Sequence, residues 1–190
     1  MGGDISGSHS LSAVLFPTEA DLAALRRGEA AAFRELVRQY GTGLKNFALA
    51  YLRDEHAAED VTQEVLASVS RSVAEYRPGG SFAGWLFRIA RNAALNHRRG
   101  RLRAAAREAV VGRPVAAGPV EEIERRELRE LVRKAIDGLD EADRDVLVLC
   151  DMNGMSYRDA AEALAVSEKA LSVRLVRARN RLKDVVKSMV

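Results

Sequence analysis

The sequence predicts an all-α protein of two small helical domains joined by a flexible linker, and three observations carry that prediction. Ala, Leu, Arg and Glu are abundant while aromatics make up only 5% of 190 residues, a composition that favours helix over sheet. Apolar residues recur at spacings of three and four in two separate blocks, the period of a helix with one buried face. Between the blocks, Glu108–Val120 holds Gly112, Pro114, Gly118 and Pro119 without any amphipathic period, as a linker does. Extended, such a stretch spans roughly 45 Å at about 3.4 Å per residue.

Composition excludes several classes. No apolar run approaches the length of a membrane span, and Met1–Ser12 lacks the basic and apolar segments of a secretory signal. A cytoplasmic location is therefore expected. Cys150 is the single cysteine, which rules out an internal disulfide and reads as a small core hydrophobe. No metal site and no cofactor are expected. Asp54, His56, Glu59 and Asp60 lie close in sequence, but acids in a first turn are explained by the helix dipole. With no phosphate loop, nucleophile elbow or paired cysteines, no enzyme is expected.

The net charge is only +3, yet it is unevenly spread. Seven arginines and no acid lie between Arg88 and Arg107, and Glu168–Lys187 holds seven basic residues against two acids. Two basic helices on an otherwise balanced chain suggest two contacts with a polyanion.

Taken in order, residues 1–17 are a Gly/Ser-rich tail expected to be disordered. Residues 18–107 read as one helical domain. Thr18 caps its first helix, with Asp21 three residues on. Phe33, Leu36, Val37, Tyr40, Leu44, Phe47, Ala48 and Tyr51 form one stripe on a long helix that Gly41 and Gly43 weaken or bend. Asp54 caps the next helix, whose buried face is Ala58, Val61, Val65, Leu66, Val69 and Val73. Asp60, Gln63 and Glu64 then face outward. That helix is expected to run to Arg77-Pro78-Gly79-Gly80. Ser81 caps a fourth helix with an inner face of Phe82, Trp85, Leu86, Ile89 and Ala93. Its other sides carry Arg88, Arg91, Asn92, Asn96, His97 and Arg98. Trp85 shares the inner stripe and reads as core, not as a base-stacking residue.

After the linker at 108–120, residues 121–190 read as a second domain. A helix through Leu128, Leu131, Val132 and Ile136 ends at Gly138, and Asp140 caps another with Val146, Leu147 and Cys150 inside. Asn153-Gly154 is a turn. Ser156 then opens a short helix to Leu164, and Ala165-Val166-Ser167 leads into a long final helix. Short helix, three-residue turn and longer helix make a helix-turn-helix. Ala160, Ala161, Leu164, Val166, Leu171, Leu175, Ala178 and Leu182 are expected to hold it together. Lys169, Ser172, Val173, Val176 and Arg177 then lie around the side that enters a major groove. Arg174, Arg179, Arg181 and Lys183 reach flanking phosphates, or base edges in the case of Arg174.

Ala58-Glu59-Asp60-Val61-Thr62-Gln63-Glu64-Val65 resembles the polymerase-binding helix of sigma-factor region two. Ser81-Phe82-Ala83-Gly84-Trp85-Leu86-Phe87-Arg88-Ile89-Ala90-Arg91-Asn92 resembles the promoter-melting helix of that region, and Leu139–Leu182 resembles region four. With no region three between them, the chain is similar to extracytoplasmic-function sigma factors. That resemblance implies a helical bundle for region two and a helix-turn-helix for region four. It implies that Asp60, Gln63 and Glu64 dock on the clamp helices of the largest subunit of core RNA polymerase. It places Arg77, Gly79, Gly80 and Ser81 near a base flipped from the downstream (−10) promoter element, with Arg88, Arg91, Asn92, Asn96 and Arg98 on the opened strand. The final helix would read the upstream (−35) element near the polymerase flap, and the linker would thread toward the RNA exit channel. It also implies an anti-sigma partner, often membrane-bound, that holds the factor away from the nucleoid.

Two departures stand out. Ala165 replaces the usual turn glycine, so positive φ is expected to be avoided there. Ser172 and Val173 stand where a basic residue and serine are common, so promoter preference does not transfer from relatives. The rival reading is a stand-alone helix-turn-helix regulator whose first domain senses a signal or dimerises, which would need a symmetric DNA site and a self-complementary surface.

Overall fold

A computed structural model describes residues 17–77, 79–105, 134–136 and 138–189. The whole linker 108–120 and the helix expected through Leu128–Val132 lie outside these residues, as does the tail up to residue 16. The described residues form helices and no strand: α1 (Glu19–Arg26), α2 (Ala30–Leu52), α3 (Glu55–Ser72), α4 (Phe82–Ala105), α5 (Glu141–Leu147), α6 (Tyr157–Leu164) and α7 (Glu168–Met189). A wider π-helical turn, Val148–Met152, continues α5.

Local capping sets most helix starts. At α1, Thr18 and Asp21 form a reciprocal box: the Asp21 N–H donates to the Thr18 hydroxyl at 3.2 Å, and the Thr18 N–H donates to the Asp21 carboxylate at 2.9 Å. Asp54 accepts from the Ala57 N–H at 3.0 Å, and Asp140 accepts from the Asp143 N–H at 2.8 Å. Ser81 accepts from the Gly84 N–H at 2.9 Å. Each such bond satisfies a donor that the helix itself leaves unpaired.

α2 runs unbroken through Gly41 and Gly43 and buries Leu36, Tyr40, Leu44, Phe47, Ala48 and Tyr51. Val37, expected on that stripe, is 48% exposed. It follows Leu36 by about 100° around the axis and so falls off the stripe's edge. Each fully buried Leu or Phe of this bundle contributes roughly 1.5–3 kcal/mol before entropy is counted.

α3 ends at Ser72, short of the expected Arg77-Pro78 stop. The chain turns there because Tyr76 folds back under α4: its ring lies 5.4 Å from Phe82 and 5.5 Å from Trp85, and its hydroxyl donates to the Gly80 carbonyl at 2.7 Å. Trp85 is buried in this cluster, 5.3 Å from Phe82. Burial of an aromatic ring outweighs one more turn of helix.

α4 is buried on more sides than its expected inner face. Phe87, Ala90, Ala94 and Leu95 are buried along with Phe82, Trp85 and Leu86, while Ile89 and Ala93 are only half-buried. The cause is its position, since α4 packs on α2 and α3 and also on α6 of the second domain. Gly84 makes this approach possible. A Cβ there would lie 2.8 Å from the Asp159 carbonyl oxygen and 2.9 Å from the Glu162 Cβ, closer than a side chain tolerates.

In the second domain, buried Arg144 donates to the carbonyls of Ile136 and Leu139, both at 3.3 Å. That ties the helical turn 134–136 to α5. Val146, Leu147, Leu171, Leu175 and Ala178 fill the core. Cys150 is half-buried, and its thiol is pushed up to about 11 by burial first and the Asp151 carboxylate second, which leaves it un-ionised at neutral pH.

The Asp54 and Asp140 carboxyls are both held below the ordinary range, chiefly by the N–H groups they cap. A lowered folded-state value means their contribution is complete above the unfolded value near pH 4. It is lost as pH falls through the lower folded values. We expect the double variant Asp54→Asn/Asp140→Asn to keep both caps. Its melting temperature should therefore fall less than the parent's between about pH 5 and pH 2 in thermal melts.

Candidate nucleic-acid interface

Two surfaces follow from this packing. On the first domain, Asp60, Gln63 and Glu64 are exposed on α3, opposite buried Val61 and Val65. A helical period with apolar residues on one side puts the acids on the other. Along α4, Arg88, Asn92 and Asn96 are exposed and Arg98 is half-buried. Arg77, Gly79 and Gly80 are exposed before it, with Gly79 at φ +109. Pro78 lies outside the described residues.

Arg91 and Ser81 are differently placed. The Arg91 Nε donates to the Asp145 carboxylate at 2.7 Å, and its Nη2 donates to Glu141 at 3.1 Å. Burial works against the Arg91 charge, but the hydrogen bond and charge of Asp145 outweigh it and hold its pKa above the ordinary value. The buried Tyr51 hydroxyl donates to the second Asp145 oxygen. Burial first, and Asp145 second, push the Tyr51 phenol far up. The Ser81 N–H donates to the Glu162 carboxylate at 2.6 Å. Groups expected to face DNA are thus engaged by acids of the second domain.

The second surface is the helix-turn-helix. Ser156 accepts from the Asp159 N–H at 3.1 Å to start α6, and Ser167 accepts from the Ala170 N–H at 3.2 Å to start α7. Ala165 between them adopts φ 54, ψ 43, the left-handed conformation it was expected to avoid. The turn demands it: the Val166 N–H reaches back to the Ala161 carbonyl at 2.9 Å, closing the end of α6 as a glycine would. Val166, expected in the contact between helices, is 41% exposed instead because the turn directs it outward.

On α7, Leu171, Leu175 and Ala178 are buried, while Lys169, Val173, Arg174, Val176 and Arg177 are exposed and Ser172 is half-buried. Arg179 grips Asp151 at 2.6 and 2.9 Å. Arg181 bonds Asp140 at 2.8 Å and also Asp143. These two arginines therefore clamp α7 to α5 besides facing solvent. A cavity of about 180 Å³ in the second domain is lined by Asp145, Leu164, Val166 and Arg174 among others, with Arg91 reaching it from α4.

The acids Glu141, Asp145 and Glu162 and the tyrosines Tyr51 and Tyr76 were not foreseen as parts of this region. A signal existed in the acids between Asp140 and Asp145 set against a basic α4, but pairing across the chain is invisible to periodicity. Among the described residues no group of three or more His, Cys, Asp or Glu could hold a metal ion, and no helix is long and apolar enough to cross a membrane.

Comparison with known proteins gives these surfaces a context. Sigma-70 region 2 matches residues 36–104, and Sigma-70 region 4 matches residues 129–182. The ECF RNA polymerase sigma factor SigE of Mycolicibacterium smegmatis is 37% identical over 154 residues, covering 79% of this chain and 60% of that protein's length. The RNA polymerase sigma factor CnrH of Cupriavidus metallidurans is 30% identical over 165 residues, covering 82% of this chain and 86% of the relative. The structure of CnrH in complex with the cytosolic domain of CnrY aligns with a TM-score of 0.70 at 28% identity, over 89% of this chain and 96% of that one. That of the sigma factor RpoE with the anti-sigma factor NepR from Bartonella quintana aligns at 0.61 with 26% identity, over 82% and 96%. A stand-alone regulator finds no support in these relatives.

Because Ala165 carries a Cβ in a left-handed conformation, it costs about 1 kcal/mol relative to glycine. Ala165→Gly is expected to raise the melting temperature by about 2–4 °C in a thermal melt. An unchanged or lowered midpoint would show that the turn carries no such strain.

Proposed function

We propose a division of labour within this chain, which belongs to the extracytoplasmic-function RNA polymerase sigma factors of the sigma-70 family. Sigma factors are non-enzymatic initiation factors, and this chain directs promoter-specific transcription initiation. The observation that carries the finer assignment is the presence of both matched regions with their outward faces in complementary chemistry. One face is acidic on α3; the other is basic and apolar on α7.

Asp60, Gln63 and Glu64 dock on the clamp helices of the largest polymerase subunit. Arg77, Gly79, Gly80 and Ser81 border the base flipped from the downstream element, and Arg88, Arg91, Asn92, Asn96 and Arg98 hold the opened strand. Opening a base pair costs a few kcal/mol, which binding of the freed base and its phosphates offsets. On α7, Arg174 and Arg177 suit guanine edges, and Val173 and Val176 suit thymine methyl groups. Lys169 and Ser172 flank them, while Arg179 and Arg181 reach phosphates from their clamped positions. The linker crosses polymerase toward the RNA exit channel, near the flap. The protein works in the cytoplasm at the nucleoid, and an anti-sigma partner, in some states at the membrane, restrains it. The relative solved with an anti-sigma factor supports that last assignment.

Transcription by core RNA polymerase on a mixed promoter library tests the reading. Initiation from a defined promoter set only when the chain is added is expected; absence of both stimulation and core binding would contradict it. Arg177→Ala should lower use of the upstream element roughly 5- to 150-fold, the equivalent of about 1–3 kcal/mol for a lost base contact. Asp60→Ala/Glu64→Ala should weaken binding to core polymerase with no change in helix content by circular dichroism. Unfolding of that variant would make the two acids structural.

A further inference from the structure

We propose that Asn180 is a further specificity-determining residue of the upstream-element contact and that it reads an adenine. This rests on the assignment of α7 to that element. Asn180 is exposed and lies roughly 180° around the helix axis from the buried line of Leu171, Leu175 and Ala178. It shares the outermost line of α7 with Val173, seven residues earlier and within about 20° of the same direction. Val173, Val176, Arg177 and Asn180 are all exposed and stand at i, i+3, i+4 and i+7. That is the spacing by which a helix lying in a major groove presents side chains to base edges. The two valines suit thymine methyl groups and Arg177 suits guanine, while the Asn180 amide is the group that pairs with both N6 and N7 of adenine. Asn180 stands about 10 Å along the axis from Val173, a reach of about three base pairs.

The neighbours of Asn180 fix its aim. Arg179 is held to Asp151 at 2.6 and 2.9 Å, and Arg181 to Asp140 at 2.8 Å. These two arginines leave α7 about 100° to either side of Asn180, so their ion pairs resist rolling of the helix in both directions. The Asn180 side chain itself makes no hydrogen bond among the described residues. Asparagine is a poorer helix former than its neighbours in the run Arg177-Ala178-Arg179-Asn180-Arg181, and here it caps nothing. Being neutral, it also adds nothing to the phosphate attraction that the flanking arginines supply. Local rules are broken in this way, without a structural return, at functional positions.

Transcription by the holoenzyme on a promoter library randomised across the upstream element tests the role. Asn180→Ala should lose roughly tenfold of the selection for adenine at one position and leave the other preferences as they are. Asn180→Gln keeps the amide and should restore part of that selection. Alanine is the better helix former, and circular dichroism checks that helix content is kept. Three results would overturn the proposal: unchanged base preferences in Asn180→Ala, loss of selection for a base other than adenine, or an even loss across all sequences with a shallower salt dependence. The last is the mark of a phosphate contact. Arg177→Ala on the same library scores the assignment of α7 separately. A changed preference in Arg177→Ala but none in Asn180→Ala would keep α7 on the upstream element and remove Asn180 from it. No change in either would discard both.

Discussion

The seat of α6 and α5 against α4 depends on one buried charge. Asp145 is almost wholly enclosed, and an unpaired carboxylate at that depth would be strongly destabilising. Arg91 and Tyr51 satisfy it from two different helices of the first domain, α4 and α2. Neither partner is adjacent in sequence, so the charge is satisfied only when the two domains are docked. Separation is tolerable only if water or another set of donors replaces those bonds.

Around that pair, smaller features set how closely the helices approach. Gly84 removes the side chain that would hold α6 off, and Tyr76 closes the loop before α4 by bonding the Gly80 carbonyl. Tyr40 belongs to the same boundary, its phenol pushed up to about 12 by burial first and by the Asp159 charge second. On the far side of the second domain, Arg179 and Arg181 brace α7 against α5 through Asp151, Asp140 and Asp143. The Asp151 and Asp140 pairs are solvent-facing and worth little to stability individually, whereas Asp143 is buried; together they fix the orientation of α7.

Much of this was legible because it is local. Thr18, Asp54, Ser81, Asp140, Ser156 and Ser167 cap the helices expected of them, since a cap needs only residues within one turn. The burial of Trp85 and the exposure of Asp60, Gln63 and Glu64 follow from helical period. What escaped was non-local. Val37 and Val166 lie outside the core because periodicity gives the direction of a stripe but not its width. The early end of α3 depends on Tyr76 meeting Phe82 and Trp85 across a loop. Ala165 takes positive φ because closure of α6 outweighs the strain of one Cβ. The engagement of Arg91, Arg179 and Arg181 required knowing which acids the fold delivers to them.

The contact between the two domains turns on the pairing of Asp145 with Arg91 and Tyr51. Removing the cation from that pairing should let the domains part. Energy transfer between dyes on Ser70→Cys and Lys187→Cys, with Cys150→Ser to remove the native thiol, measures the domain separation directly. High transfer is expected in the parent and a marked drop in an Arg91→Ala version, which leaves the Asp145 carboxylate without its cation. Equal transfer in the two proteins would contradict the dependence of the domain contact on that pair.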